Sequence, residues 1–579
     1  MTKTAGSGPW VLGLAGSHNG AAALFRGTEL VCAVQEERLT RKKRQKLHPG
    51  EPSLAVQAVL ADQGLSVDDL DLVVSSPLTG TLDPRDDIAR HPELSRRPHK
   101  TISHHLAHAL SAYACAGCFD ADALVVDGLG SFARDVSRSE RAVALPHGDH
   151  DREAVSLYRI TRETLSPLSK HLVRTGYRDD SAPTPLGPFS SLGLMYQQVA
   201  RFTFGSWDAA GKVMGLAPLG RPIHSISEFL DLQDDGRIEF NDDLFGIGGV
   251  ISNMALKPWP NDRQAHADLA ASVQRALEEG LLHLVRHARS QSDGAPLVCA
   301  GGVFLNGVAN ELILRSRLFE EVFFLPFAED SGTAVGAGWF GVRELLGTAA
   351  PMPSLSDDTF GPRPTDLQAA LQQAQEMGAE TDDRATVDDL VDLLDAGAVV
   401  GLFSGRSELG PRALGHRGIL YDPRRDDREA LNRKKGREDF RPFAPIIRID
   451  WADRWLDHGG FTRSPFMLRV MPVLEAQRTR VPAITHVDGT TRPQVINQWT
   501  HPTLWALLDA WRSRTTVPML LMTSFNRAGE PMVETVCDAI HTAFALGLDA
   551  VWIEDTWERD EIGTMRPIEK PTLLTFRKR

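Results

Sequence analysis

The chain has 579 residues and a mass of 63.5 kDa, which is long for one ordinary domain and implies two or more. Its 63 Lys and Arg stand against 76 Asp and Glu, and a net charge of −13 argues against a broad electrostatic grip on nucleic acid. Five Cys exclude a disulfide framework and point to a cytoplasmic setting, and no apolar run reaches the about 18 residues that a membrane span needs.

The first predicted element is a buried strand, Trp10-Val-Leu-Gly-Leu-Ala-Gly16, too short to be expected as a secretory signal. Ala21–Phe25 and Leu30–Gln35 follow as strands, with Arg26–Glu29 as the turn between them. A looser echo begins at Ala123-Leu-Val-Val-Asp-Gly-Leu-Gly130 and continues through expected strands at Arg141–Leu145 and Val155–Ile160. Strand, glycine turn and hairpin, occurring twice, predict a duplicated α/β fold of the kind built by actin, sugar kinases and heat-shock ATPases.

Between these two copies lies Ser103-His-His-Leu-Ala-His-Ala-Leu-Ser-Ala112. On a helix, His104 and His108 are four apart, share a face and can share a metal, while His105 points elsewhere. Asp127 ends the strand Leu124–Val126, and Asp330 follows the strand expected at Val322–Pro326. Two imidazoles with two carboxylates suit iron, zinc or manganese. The Cys115-x-x-Cys118 pair has no second pair to complete a zinc site and reads as two small buried residues. The basic run Arg41–Lys46 is either a loop or a local nucleic-acid patch.

Leu297-Val-Cys-Ala-Gly-Gly-Val-Phe-Leu-Asn306 reads as a strand, a Gly301-Gly302 turn and a helix start whose N–H groups favour anions. Asp330–Gly338 opens a helix thin enough for close packing. Gly347–Thr365, rich in Pro, Ser and Asp, is the expected linker. Beyond it a second α/β domain is expected, with strands at Val399–Phe403, Ile446–Ile449, Phe466–Val470, Met519–Met522 and Ala550–Ile553. Its helices are expected at Ala385–Leu394, Thr503–Trp511 and Val536–Leu546.

This second half carries Gly405-Arg-Ser-Glu-Leu-Gly-Pro-Arg-Ala-Leu-Gly-His-Arg417, then Leu431-Asn-Arg-Lys-Lys-Gly-Arg-Glu-Asp-Phe-Arg-Pro-Phe-Ala-Pro445. Thr490-Thr-Arg-Pro-Gln494 and Thr523-Ser-Phe-Asn-Arg-Ala-Gly-Glu-Pro531 follow. Arginines converging beside flexible backbone are what a polyphosphate needs, because guanidinium binds phosphate in a bidentate manner.

In this order, Glu36-Glu-Arg-Leu-Thr-Arg-Lys-Lys43, the His104–His108 helix, Gly211-Lys-Val-Met-Gly-Leu-Ala217, Gly301–Asn306 and the four C-terminal motifs resemble the O-carbamoyltransferase family of antibiotic tailoring and nodulation enzymes. The resemblance spans nearly the whole chain. It implies an actin-like transfer domain at residues 1–350, a linker at 351–365 and a carbamoyl-adenylate-forming domain at 366–579 similar to threonylcarbamoyl-adenylate synthase. Carbamoyl phosphate and Mg-bound ATP would give carbamoyl-adenylate in the second domain, and the carbamoyl group would pass to a hydroxyl of a small natural product in the first. The implied metal ligands are His104, His108, Asp127 and Asp330, with Fe(II) the first candidate and Zn or Mn behind it. Arg412, Arg417, Lys435, Arg441, Arg492 and Asn526 would bind carbamoyl phosphate and ATP. His18 and Lys43 would act at the transfer site, and Gly128, Gly211, Lys212, Gly301, Gly302 and Asn306 would hold the adenylate.

Gly16-Ser-His-Asn-Gly20 is shorter and less acidic than the family pattern, so an altered acceptor pocket is expected. The expected protein is cytoplasmic, binds neither nucleic acid nor membrane, and leaves room for a homodimer. Two other readings are a tRNA threonylcarbamoyl-type transferase, disfavoured by acidity and the fused second domain, and an actin-like ATPase switch without transfer chemistry, which has no use for His104 and His108. A hydrogenase-maturation carbamoyltransferase would need paired-Cys zinc fingers, which the sequence lacks.

Overall fold

A computed structural model describes residues 8–47, 53–77, 91–145, 148–173, 191–241, 256–347, 350–554, 557–559, 565–567 and 571–576. The chain divides into two compact units. The first comprises Met1–Val31, Lys46–Ser53 and Leu65–Leu355, and the second Cys32–Gln45, Leu54–Gly64 and Ser356–Arg579. Two early segments, Cys32–Gln45 and Leu54–Gly64, thus group with the C-terminal unit rather than with the first.

The strands of the first unit are β1 (Trp10–Ala15), β2 (Ala21–Arg26), β3 (Glu29–Gln35), β4 (Leu72–Ser76), β5 (His99–Thr101), β6 (Ala121–Val126), β7 (Arg152–Ile160), β8 (Leu165–Val173), β9 (Leu230–Leu232), β10 (Ile238–Phe240), β11 (Leu297–Ala300) and β12 (Val322–Phe324); the division between the units falls within β3. One sheet has the order β3-β2-β1-β4-β5 and the other β8-β7-β6-β11-β12, while β9 and β10 form a separate ribbon. In each five-stranded sheet the central strand pairs antiparallel with the strand that follows its turn and parallel with the strand on its other side. The same order twice is the duplicated, actin-like arrangement expected. Central strands such as β1 and β6 are apolar on both faces because both faces are covered.

Two helices complete the first unit's centre. His104–Ala116 is almost wholly buried and stops at Gly117, whose φ of 76° needs no Cβ. Gly332–Leu346 lies against it and against β1. A methyl group at Gly336 would fall 1.7 Å from the Ala107 carbonyl oxygen, and one at Gly13 would fall 2.0 Å from that of Ala334. Glycine at these positions is what lets the backbones approach.

One expected strand is corrected here. Arg138–Ala142 is a helix, started by a reciprocal Ser137–Glu140 capping box that overrides the apolar pattern of Arg141–Leu145.

The second unit's strands are β13 (Ala379–Asp382), β14 (Val400–Ser404), β15 (Arg417–Tyr421), β16 (Ala444–Arg448), β17 (Met471–Pro472), β18 (Thr490–Thr491), β19 (Gln494–Ile496), β20 (Met519–Ser524), β21 (Ala550–Glu554), β22 (Trp557–Arg559), β23 (Met565–Pro567) and β24 (Thr572–Phe576). Eight of them form one mixed sheet, β13-β24-β21-β14-β15-β20-β16-β19. Phe403, Ile419, Phe525, Val551 and Leu574 belong to its core, and helices Val387–Asp395, Pro502–Thr515 and Val536–Leu546 fall where the periodicity predicts. Phe466–Val470 is not a strand. Met467 has a φ of 54°, and the buried Arg469 guanidinium is bound by the carbonyls of His458, Phe461 and Arg463. Among the described residues no helix is long and apolar enough to cross a membrane.

Candidate metal centre and candidate anion site

In the first unit, helical spacing aims both His104 and His108 at the ends of two strands. His104 Nε2 lies 3.1 Å from His108 Nε2 and 3.4 Å from a carboxylate oxygen of both Asp127 and Asp330. His108 Nε2 lies 3.8 Å from the same two oxygens. Ligands each about 2.1 Å from one ion stand about 3.0–3.4 Å apart, so the observed spacing fits a shared metal. All four side chains are buried, and among the described residues they are the one group of His, Cys, Asp or Glu so gathered.

The electrostatics agree with a cation site. Burial disfavours the His104 imidazolium, but Asp330 and Asp127 outweigh it and raise its pKa to about 10. Burial likewise opposes the Asp330 carboxylate, yet His18 and His104 hold it well below the usual range. Asp127 is also lowered, with His104 overcoming its burial, and its second oxygen accepts the Gly302 N–H at 3.1 Å.

Several residues surround these four. His18 follows β1, and its Nδ1 is 3.2 Å from Asp330 while its ring is 39% exposed. Next to it, Asn19 donates to Glu329, which also takes the Ser331 N–H. Gly301 has a φ of 98° and no room for a Cβ against the Val126 carbonyl, so the turn brings Gly302 to Asp127. The other expected adenylate residues differ in their surroundings. Asn306 caps helix Gly307–Ser316 through Ala309 N–H, and Gln274 takes its amide; its side chain is committed to the fold. Lys212 lies over the Phe204 ring, Gly211 has open space around it, and Gly128 lies beside Gln197.

In the second unit, Arg412, Lys435, Arg437, Arg441 and Arg492 gather into one cationic cluster. Burial comes first and mutual repulsion second in lowering their pKa values: Arg412 to about 10, Arg437 to about 9, with Lys435 and Arg492 far below their usual ranges. Arg441 is lowered too, although Glu438, at 3.7 Å, partly offsets its burial. Lys435 Nζ donates to the carbonyls of Ser524 and Asn526, which fixes it at the end of β20. Asn526 joins the site by that carbonyl, since its side chain bonds Ser524 and Glu530 within the turn. Cations held together against repulsion call for an anion.

Two expected residues have different surroundings. Arg417 is fully buried, stacks 3.6 Å from the Phe403 ring centre and donates to the carbonyls of Ser404, Gly405, His416 and Glu534. Its guanidinium is engaged by backbone carbonyls and the Phe403 ring. Lys43 groups with the second unit and acts electrostatically on Lys435.

Sequence reasoning passed over three contributors. Arg437 sat inside a quoted basic motif and could have been taken with Lys435. Glu408 accepts the N–H groups of Leu414, His416 and Arg417 on one oxygen, which shapes the turn carrying Arg412. Arg38 donates to the carbonyls of Glu408 and Gly410 at the same turn, from some 370 positions earlier.

The chain matches two family models, Carbamoyltransferase N-terminus over residues 86–339 and Carbamoyltransferase C-terminus over 391–559. It is 33% identical to nodulation protein NolNO of Sinorhizobium fredii over 92% of this chain and 78% of that one. Nodulation protein NolO of Bradyrhizobium diazoefficiens is 34% identical over 78% and 77%. The 3'-hydroxymethylcephem-O-carbamoyltransferase of Amycolatopsis lactamdurans is 30% identical over 60% and 64%. Among solved structures, full-length HypF in a phosphate- and nucleotide-bound form is similar over 58% of this chain and 56% of that one, with 12% identity and a TM-score of 0.36. HypF from T. kodakarensis is similar over 59% and 48%, with 15% identity and a TM-score of 0.39. The chain spans about half the length of those two structures.

Proposed function

Because the chain belongs to the carbamoyltransferase family, we propose that it carries out ATP-dependent O-carbamoyl transfer in two steps, one on each unit. On the second unit, water cleaves carbamoyl phosphate to carbamate and phosphate, and the carbamate oxygen then attacks the α-phosphorus of Mg-bound ATP to give carbamoyl-adenylate and pyrophosphate. On the first, a hydroxyl oxygen attacks the carbamoyl carbon, the C–O bond to phosphate breaks, and AMP leaves.

The observation that carries this reading is the cluster of Arg412, Lys435, Arg437, Arg441 and Arg492. ATP and carbamoyl phosphate together bring about six negative charges, and charge-assisted hydrogen bonds from several cations are the efficient way to hold them. Lys43 remains proposed for the transfer step with His18. Carbamate decomposes in water, so the cluster's burial also protects the species it gathers.

For the transfer, His104, His108, Asp127 and Asp330 would hold an iron, zinc or manganese ion, which when bound would neutralise charge on the departing phosphate. His18 is close to Asp330 yet reachable from solvent, which suits an imidazole that accepts the hydroxyl proton during attack. Gly301 and Gly302, whose turn packs on Val126 and Asp127, are proposed to hold the adenylate. The name of the cephem relative carries a hydroxymethyl acceptor, and a hydroxyl on an antibiotic sugar or macrocycle is the acceptor class proposed here.

Incubation with ATP, carbamoyl phosphate and a panel of hydroxyl-bearing natural products, followed by mass spectrometry, tests the proposal. A carbamoylated product that requires both ATP and carbamoyl phosphate is expected. ATP hydrolysis to ADP and phosphate, with no carbamoylated product, would overturn it.

A further inference from the structure

The helix that carries His104 and His108 is not capped by its own sequence. Ser103 occupies the N-cap position but makes no capping hydrogen bond, and its hydroxyl instead donates to Glu140 at 2.9 Å. The first N–H groups of the helix go to residues far along the chain. His104 N–H donates to Ser131 Oγ at 2.9 Å, and His105 N–H to Glu153 Oε2 at 3.2 Å. That same Glu153 oxygen takes the Ser131 N–H at 2.8 Å, so one carboxylate sets both caps.

Glu153 is itself fully enclosed, on β7. Its other oxygen receives the Lys170 ammonium from β8, and Lys170 also lies 3.1 Å from Glu140. A buried carboxylate is costly unless paired, and a carboxylate at a helix N-terminus is favourable because it meets the positive end of the helix dipole. Both conditions are met here by groups outside the helix.

We propose that Glu153, braced by Lys170 and acting through Ser131, is a positioning residue that fixes the rotation and height of the helix so that His104 and His108 converge with Asp127 and Asp330. This inference rests on the metal-centre reading above. Without Glu153 the helix start would lose one partner and the anchor of the other, and the imidazoles, one and five residues beyond Ser103, would keep their spacing along the helix while losing their register to the two carboxylates. Supporting groups of this kind typically change metal affinity by about ten- to hundredfold.

The test uses the whole chain, stripped of metal by chelation and titrated with Co(II), whose visible absorption reports both binding and ligand geometry. Three variants are compared: Ser131→Ala, Glu153→Gln and the paired Glu153→Gln/Lys170→Met, which removes both buried charges together. Circular dichroism establishes that each is folded, and Ser131→Ala decides the matter if the others are not. The expected result is one Co(II) per parent chain, with affinity about ten- to hundredfold weaker and shifted absorption bands in the folded variants. Unchanged affinity and spectrum in folded variants would overturn the positioning role while leaving the metal centre intact. A parent chain that takes up no Co(II) would overturn the metal centre itself, and this inference with it.

Discussion

Asp330 divides its carboxylate between two jobs: one oxygen faces His104 and His108 at 3.4 and 3.8 Å, and the other lies 3.2 Å from His18 Nδ1. The imidazole proposed as proton acceptor is therefore tied to a proposed metal ligand. His18→Asn keeps polarity and much of the size but cannot take up the proton. Pyrophosphate release should stay close to the parent rate, while transfer to acceptor falls about a hundredfold and carbamoyl-adenylate accumulates. A quenched time course that follows adenylate and product together makes the comparison; unchanged transfer would remove His18 from the role.

Gly336→Ala places a methyl group 1.7 Å from the Ala107 carbonyl, between the helix of His104 and His108 and the helix that follows Asp330. The helices must part, so a loss of about 3 kcal/mol is expected, together with weaker metal uptake. Gly211→Ala is the contrast. It lies in helix Ala210–Leu216 with open space around it, and alanine there should raise stability by about 0.5–1 kcal/mol. Urea melts of the two variants, with metal content measured alongside, separate close packing from mere glycine content.

How much of this was legible beforehand depends on whether the partners are local. The His104–His108 pair follows from helical periodicity, and Asp127 and Asp330 from their places after strands, so four residues more than 200 positions apart in all could be grouped in advance. Arg412 and Arg417 show the opposite. They share one motif and one charge, yet Arg412 faces other cations and Arg417 faces carbonyls and Phe403, a difference created by the turn that Glu408 folds. The Glu36–Lys43 segment was assigned by its place in the chain, whereas its partners, including Glu408, Gly410, Pro531 and Met532, lie hundreds of residues later. Glu153 and Lys170 gave no pattern at all, because a buried pair on neighbouring strands looks like any two charges in sequence.

The cationic cluster should cost stability when no anion is bound. Burial, Arg441 and Arg412 push the Arg437 pKa well below the usual guanidinium range, so its charge is disfavoured in the folded state. The guanidinium stays charged in both states, so the folded state bears the cost of burial and repulsion until an anion binds. Arg437→Gln should thus be more stable than the parent by about 1 kcal/mol at pH 7.5 without ligand. Added pyrophosphate should reverse the order at pH 7.5. Denaturation curves in which the parent is the more stable protein without pyrophosphate would contradict a repulsive cluster.

Arg417→Ala and Arg441→Ala should fail in different ways. Removing Arg417 leaves the carbonyls of Ser404, Gly405 and Glu534 without their donor and empties the space over Phe403, a loss of about 3 kcal/mol in stability. Removing Arg441 should leave the melting temperature within a few degrees while pyrophosphate release falls about ten- to hundredfold. Synthetic carbamoyl-adenylate should restore product formation in Arg441→Ala. Equal melting temperatures for the two variants would place Arg417 in the binding site after all.

The most direct measurement is the nucleotide balance with and without carbamoyl phosphate, in the absence of acceptor. The two-step account predicts AMP-linked product and pyrophosphate in equal amounts, formed only when carbamoyl phosphate is present and strongly reduced in Arg441→Ala. Release of ADP and phosphate, or pyrophosphate release indifferent to carbamoyl phosphate, would contradict it.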